Sequence, residues 1–283
     1  ADQLIRVLFL RDYNTRVVLL GTTLLGVVGG VVGTFMLLRK RALVGDVISH
    51  ASLPGIAAAF IFIETTWPGH GKSLGGLLIG ATISGFAGVG SVLLIRRLTS
   101  LKEDAALAIV LSVFFGAGIG LMTVLQDLPS GNMAGIQGFI YGKAAAMVSS
   151  DIELISICAF IVLVLSTLLF KELAALCFDE NYTASQGLPV LGLDLVLMGM
   201  VAVVTVIGLQ SVGLLLVVGM LIIPAAAARF WTDHLQAMTI IAAAIGGLAA
   251  LLGVIASALF AKLAAGPVII LAGASLFVLS MLF

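Results

Sequence analysis

Apolar runs long enough to cross a bilayer follow one another along this chain with little between them. A span needs roughly 20 apolar residues. The sequence supplies such runs at 17–38, 50–67, 74–95, 105–126, 152–170, 191–210, 236–260 and 266–283, with a shorter one at 213–228. In lipid the backbone has to satisfy its own hydrogen bonds, so runs of this kind are read as helices. The expected fold is all-α: a polytopic membrane protein of nine transmembrane helices, or eight if 213–228 is a half-helix, forming a single transmembrane domain over 1–283. Composition agrees: the chain is 61% hydrophobic and 10% charged, whereas a soluble domain is about half apolar and a quarter charged. The partner that this composition demands is the lipid bilayer.

Positive charge orients such a bundle. The cations Arg39-Lys40-Arg41, Arg96-Arg97-Lys102, Lys171 and Arg229 fall on alternate connections, which assigns that side to the cytoplasm; Lys72, Lys143 and Lys262 fall on the other. Residues 1–16, with Arg6, Arg11 and Arg16, read as an interfacial amphipathic arm or a disordered terminus, and they show no small-residue cleavage site. On this topology the arm lies outside, against the charge rule. The chain has no initiator Met and ends inside an apolar run, as expected of a portion of a slightly longer protein. Residues 127–151 read as an external connection, part of it a candidate re-entrant segment. Gly26/Gly30, Gly29/Gly33, Gly76/Gly80 and Gly116/Gly120 have the spacing that lets membrane helices approach closely, and all four are read as packing positions.

The stretch with the most chemistry is Arg39 to Phe60, RKRALVGDVISHASLPGIAAAF. Asp46 and His50 stand four apart, which places them on one face of a helix. Pro54-Gly55 is then expected to interrupt that helix. A carboxylate and an imidazole are ligands for Zn²⁺, Mn²⁺ and Fe²⁺. Two ligands do not complete a site, and an incomplete site suits a transporter that has to release its ion. The simpler alternative is an Asp–His hydrogen bond capping a helix near the cytoplasmic interface.

Other motifs carry less. Gly69-His70-Gly71-Lys72-Ser73 resembles the tail of a phosphate-binding loop, but the required Gly is Thr66 and no strand precedes it, so His70 reads as a solvated loop residue. Glu103 and Asp104 open a helix where acids complement its dipole. Asp233 is expected to cap the helix after His234, and Pro224 to kink or end its own helix. Cys158 and Cys177 lie far apart with no CxxC spacing. No HExxH and no Gly-x-Ser-x-Gly is present, so nothing points to an enzyme. Lys+Arg and Asp+Glu balance at 14 each, which gives no hint of a nucleic-acid partner. The polar stretch 171–190 carries acids, a short helix and a Gly-Leu-Pro stop at 187–189, and reads as an interhelical loop or as a grip for another subunit.

LVGDVISHASLPGIAAAF resembles the signature of the membrane permease subunits of metal-importing ABC transporters of the zinc/manganese/iron family. RRLTSLKEDAALAIVLSVFFGAGIGLM, CFDENYTASQGLPV and QSVGLLLVVGMLIIPAAAARFW agree with it, over about residues 10–283. DYNTRVVLLGTTLLG and LKEDAALAIVLSVFFG look most like the manganese branch. The resemblance implies a type II importer-like permease in a bacterial cell (inner) membrane, paired with a second copy or a related permease. It implies two cytoplasmic ATPase subunits that use the ATP, and an extracellular or periplasmic metal-binding protein that delivers the ion. The chain itself would bind no cofactor, and Mn²⁺, Zn²⁺ or Fe²⁺ would be its substrate. The family's metal-coordinating acid and histidine fall on Asp46 and His50. Its coupling segment falls on Phe178–Gly187, with Phe178, Asp179, Glu180, Ala184 and Gly187 facing the ATPase. Two rivals stay open. One is a proton-coupled secondary metal carrier, for which Glu64 and the 46/50 pair are nearly the only acids and bases within the spans. The other is an ABC permease for a metal chelate or a vitamin.

Overall fold

The computed structural model describes residues 13–71, 73–126, 147–260 and 263–282. The described residues form eleven α-helices and no strand. They are α1 (Tyr13–Leu38), α2 (Val44–Thr66), α3 (Leu74–Leu98), α4 (Glu103–Gln126), α5 (Ser149–Leu168), α6 (Phe170–Phe178), α7 (Glu180–Ser185), α8 (Val190–Val212), α9 (Leu214–Arg229), α10 (Leu235–Leu259) and α11 (Ala265–Met281). Seven of them, α1 to α5, α8 and α10, are long and apolar enough to cross a membrane; α9 and α11 are apolar but shorter. The first helix already includes Tyr13–Arg16, so the expected arm cannot extend past residue 12. Residues 1–12, most of the 127–151 connection, Lys72, Lys143 and Lys262 lie outside the described residues.

α1 is the hub of one half of the molecule, packing on α10, α9 and α5. Its glycines explain why. A Cβ at Gly26 would sit on the carbonyl of Gly246, and one at Gly30 on the carbonyl of Ala242, both in α10. A Cβ at Gly29 or Gly33 would meet the carbonyls of Met220 and Leu221 in α9. Without a hydrophobic drive between helices in lipid, such close backbone approach supplies much of the association. In the other half α2 packs on α3 and α4, with Gly55 and Gly80 backbone to backbone at the crossing and the Ser84 hydroxyl donating to the Ala51 carbonyl at 2.6 Å. α8 touches both halves, and Leu197, Val201 and Leu209 along it are buried. Gly116 and Gly120 depart from expectation: a Cβ on either would meet nothing within 4 Å. That face of α4 packs against no described residue.

Pro54 also behaves differently from the sequence reading, and Pro224 does not end its helix. α2 runs unbroken through Pro54-Gly55, and α9 through Pro224. A proline removes one N–H and one helical hydrogen bond; ending the helix in an apolar medium would leave several backbone groups without partners. The helix therefore continues, and the His50 carbonyl is the one left without its usual donor from residue 54. Turns are made where the backbone permits. Gly213, at φ +87, lets α8 reverse directly into α9.

Candidate metal centre and its ionic anchor

α2 begins at Val44, so Asp46 and His50 occupy its first two turns rather than a segment before it. His50 Nε2 lies 3.4 Å from Asp46 Oδ1, and the two side chains are 19% and 28% exposed. The Phe115 ring of α4 meets the imidazole edge-on, with centroids 4.9 Å apart. The other ring nitrogen, Nδ1, is buried and has no hydrogen-bond partner. Among the described residues no third His, Cys, Asp or Glu joins them to make a closed metal cage. The geometry is that of two candidate ligands on one face of a helix, not of a completed structural site.

The same face of α2 leads on to Pro54, Ala58 and Phe62. These line an apolar groove of about 810 Å³ between α2, α3 and α4, whose far wall includes Ile83 and Val113. The Asp46–His50 pair does not line this groove; the groove starts one helical turn beyond His50.

A second polar cluster sits just before α2. α1 ends in a turn in which Arg41 N–H donates to Met36 O at 2.9 Å and Lys40 N–H to Leu37 O at 3.0 Å. This is the two-bond C-terminal cap that needs a left-handed residue, and Lys40 supplies it at φ +57. The turn sends Arg39 and Arg41 inward. Arg39 reaches Asp194 at 3.1 Å, Glu180 at 3.4 Å and the Leu176 carbonyl at 3.0 Å. Arg41 contacts Asp194 through Nη1 and Glu103 through Nε, and Arg96 closes on Glu103 at 3.4 Å. The side chains of Arg39, Arg41 and Asp194 are 8%, 3% and 8% exposed. Burial opposes the charge on Arg41, but the hydrogen bond to Asp194 and the fields of Asp194, Glu103 and Glu180 raise its pKa above the ordinary arginine value. Glu103 is thus more than a helix-dipole acid.

Asp194 is the residue that sequence reasoning passed over. Its signal was there: a lone acid in the apolar run VLGLDLVL, where an unpaired charge is costly and so calls for a partner. The cluster also gathers the α1–α2 turn, the end of α3, the start of α4, α7 and the start of α8 at one end of the molecule, as the cation pattern anticipated.

The coupling candidates lie at this end. Phe178 closes α6 and Asp179 caps α7, accepting from the N–H groups of Asn181 and Tyr182 at 2.8 and 3.0 Å. Glu180, Ala184 and Gly187 are exposed, with Phe178 and Tyr182 70% and 56% exposed. Gly187, at φ +75, ends α7 with the same two-bond cap as Lys40: Leu188 N–H to Thr183 O and Gly187 N–H to Ala184 O. Cys177 faces inward, its thiol donating to the Phe35 carbonyl at 3.6 Å; burial pushes its pKa up to about 12, so it is a packed neutral group.

The remaining candidates serve local structure. His70 is exposed in the α2–α3 turn. Glu64 accepts from the N–H groups of Gly69 and Gly71 at 3.1 and 2.9 Å, which engages it in holding that turn. Asp233 pairs with Arg229 at 2.9 Å and does not cap α10; the cap position is His234.

A model of the ABC 3 transport family matches residues 11–283. The chain is 42% identical over 273 residues to the manganese transport system membrane protein MntC of Bacillus subtilis, a match covering 96% of this chain and 61% of that protein. It therefore spans less than two thirds of that relative's length. It is 39% identical over 260 residues to the zinc transport system membrane protein TroC of Treponema pallidum, covering 92% of this chain and 85% of that one. Among solved structures, PsaBC from Streptococcus pneumoniae in complex with Fab superposes with a TM-score of 0.81 at 31% identity, covering 95% of this chain and 91% of that chain.

Proposed function

Because the chain belongs to the ABC 3 transport family, we propose that it is the membrane permease subunit of an ATP-driven importer of divalent transition-metal ions, manganese first, with zinc or iron as neighbouring substrates. The observation that carries this reading is the open pair on α2: an acid and an imidazole 3.4 Å apart, partly exposed, with no third ligand among the described residues. The relatives named for manganese and zinc transport support the substrate class. The permease has no catalytic role; hydrolysis belongs to a separate ATPase subunit.

In this mechanism two permease copies, or this chain and a related one, face each other across the α2–α4 side. The second copy brings another acid and imidazole and walls off the groove that starts at Pro54. Asp46 offsets part of the charge on M²⁺. His50 adds a neutral nitrogen, which disfavours Mg²⁺ and Ca²⁺ because these prefer all-oxygen shells. An extracellular metal-binding protein hands over the ion, and ATPase subunits grip the exposed surface of Phe178, Asp179, Glu180, Ala184 and Gly187. Motion of α7 has a short mechanical route to the site: Glu180 to Arg39, Arg39 and Arg41 to Asp194, and Arg41 to Asp46 five residues on. The membrane concerned is the bacterial inner membrane.

The test is ATP-dependent uptake of radioactive manganese and zinc into vesicles carrying the chain with its ATPase and binding protein. Uptake that needs ATP and disappears in Asp46→Ala/His50→Ala supports the reading. Uptake that persists in the double variant moves the site elsewhere, and uptake by this chain alone without ATP favours a proton-coupled carrier.

A further inference from the structure

A second large concavity lies away from the α2–α4 side, where α1, α5, α6 and α10 meet. It holds about 830 Å³, within the range of pockets that take organic ligands, roughly 300–1,000 Å³. Its walls are apolar, with Val31, Leu163, Ile240 and Ala243 along its length. One end is polar, and that end is built from helix termini: Lys171 and Glu172 in the first turn of α6, Gln236 in the first turn of α10. The hydroxyls of Thr167 and Thr239 there are spent on the carbonyls of Val164 and Leu235 at 2.8 and 2.9 Å. Lys171 and Glu172 are not: among the described residues they form no ion pair with each other or with any other group, and Glu172 Oε2 is buried without a hydrogen-bond partner. A buried carboxylate oxygen left without a donor is costly, and the Lys171 ammonium, which lines the same groove, is available to an anion.

We propose that this groove is a binding site for one phosphatidylethanolamine molecule of the bilayer leaflet on the α6 side. An acyl chain lies along Val31, Leu163, Ile240 and Ala243. The headgroup sits at the helix ends, with its phosphate on Lys171 and its primary ammonium donating to Glu172. The arrangement of charges selects the lipid. A choline headgroup carries the positive charge but has no N–H to give to Glu172; a glycerol headgroup has the phosphate for Lys171 but no cation. Only an amphiphile with both groups on one short linker fits an unpaired Lys-Glu neighbour at the rim of an apolar groove. The site is independent of the Asp46–His50 pair, so it stands or falls apart from the transport reading.

The full chain, purified in detergent with its ATPase, would be examined by native mass spectrometry after addition of phosphatidylethanolamine, phosphatidylcholine or phosphatidylglycerol of matched acyl chains. The expected result is one phosphatidylethanolamine retained per permease, about tenfold more strongly than the other two, the scale of one charge-assisted hydrogen bond. Glu172→Gln and Lys171→Glu, both at positions without an ion pair, should remove that preference without affecting folding. Ile240→Trp, which narrows the groove at an exposed position, should lower retention of all three lipids. Equal retention of the three lipids by the wild type overturns the proposal, as does unchanged preference in Glu172→Gln. Cross-linking of two copies through Ile240→Cys also overturns it, since the groove would then be covered by protein.

Discussion

Two polar clusters lie within a dozen residues of each other, and they are built on opposite principles. The Asp46–His50 pair is unfinished: two groups 3.4 Å apart, each partly exposed, one imidazole nitrogen buried without a partner. The knot of Arg39, Arg41, Asp194, Glu103 and Glu180 is nearly finished, with one buried carboxylate shared by two guanidiniums and only the Arg39 Nε left over. Removing a charge from water costs several kcal/mol unless other charges and donors replace the water. The knot meets that condition within the chain. The pair does not: within the described residues it has only its own contact and the Phe115 ring. Under the proposed function, the contrast separates a site that is filled and emptied from a joint that carries load.

The largest effect should come from the unfinished cluster. Asp46→Ala/His50→Ala removes both proposed metal ligands, and metal uptake in vesicles should fall by about a hundredfold or more, since even outer-shell changes cost about 10–100-fold. Thermal stability should move much less, because the pair's ties to the fold are their mutual contact and the edge-on packing of His50 on Phe115. The finished cluster should behave in the reverse way. Asp194→Ala leaves two buried guanidiniums facing each other and should destabilise the permease by about 3–5 kcal/mol, read as a lowered melting temperature in detergent. Arg39→Met/Arg41→Met/Asp194→Leu, which removes the whole charge group, should recover much of that loss. If Asp46→Ala proved the more destabilising of the two, the division between site and joint would fail.

Much of this was legible in the sequence, and the misses have physical reasons. The spans follow from the length of the apolar runs, and the Gly26/Gly30 and Gly29/Gly33 contacts and the shared face of Asp46 and His50 from periodicity; both signals are local. Asp194 was missed because its meaning depends on two arginines about 153 and 155 residues away in sequence, a pairing no local pattern encodes. Pro54 was over-read: the rule that proline breaks helices is calibrated in water, where freed backbone groups find solvent. Gly116 and Gly120 were read as packing positions from spacing alone, yet they face open space in the single chain. Spacing identifies a helix face that can be approached closely, not what approaches it.

A smaller effect separates stability from coupling within the knot itself. Glu180 is its exposed arm, at 54% side-chain exposure, and an exposed ion pair contributes about 0–1 kcal/mol. Glu180→Ala should therefore leave the melting temperature nearly unchanged. Because Glu180 links α7 to Arg39, the ratio of metal transported to ATP hydrolysed should drop severalfold while hydrolysis itself persists. A fall in both by the same factor would mean that α7 is only a docking surface and that Arg39 transmits nothing.

The smallest expected effect concerns the two helix caps of identical design. α7 ends on Gly187, where a left-handed conformation is free of Cβ strain; α1 ends on Lys40, which adopts it at φ +57 with a full side chain. Lys40 is the one non-glycine residue with positive φ among the described residues, and it lies between Arg39 and Arg41 of the knot, in the turn that leads to the α2 pair. Strain of this kind costs on the order of 1 kcal/mol and tends to sit where a segment has to change shape. Lys40→Gly should raise stability by about 0.5–1 kcal/mol, and Gly187→Ala should lower it by a similar amount. If the α1–α2 turn is the element that moves when α7 is pulled, relieving Lys40 will also shift uptake at fixed ATP hydrolysis, whereas Gly187→Ala will change stability alone. Equal behaviour of the two variants in uptake would make the Lys40 turn a static corner and place the hinge elsewhere.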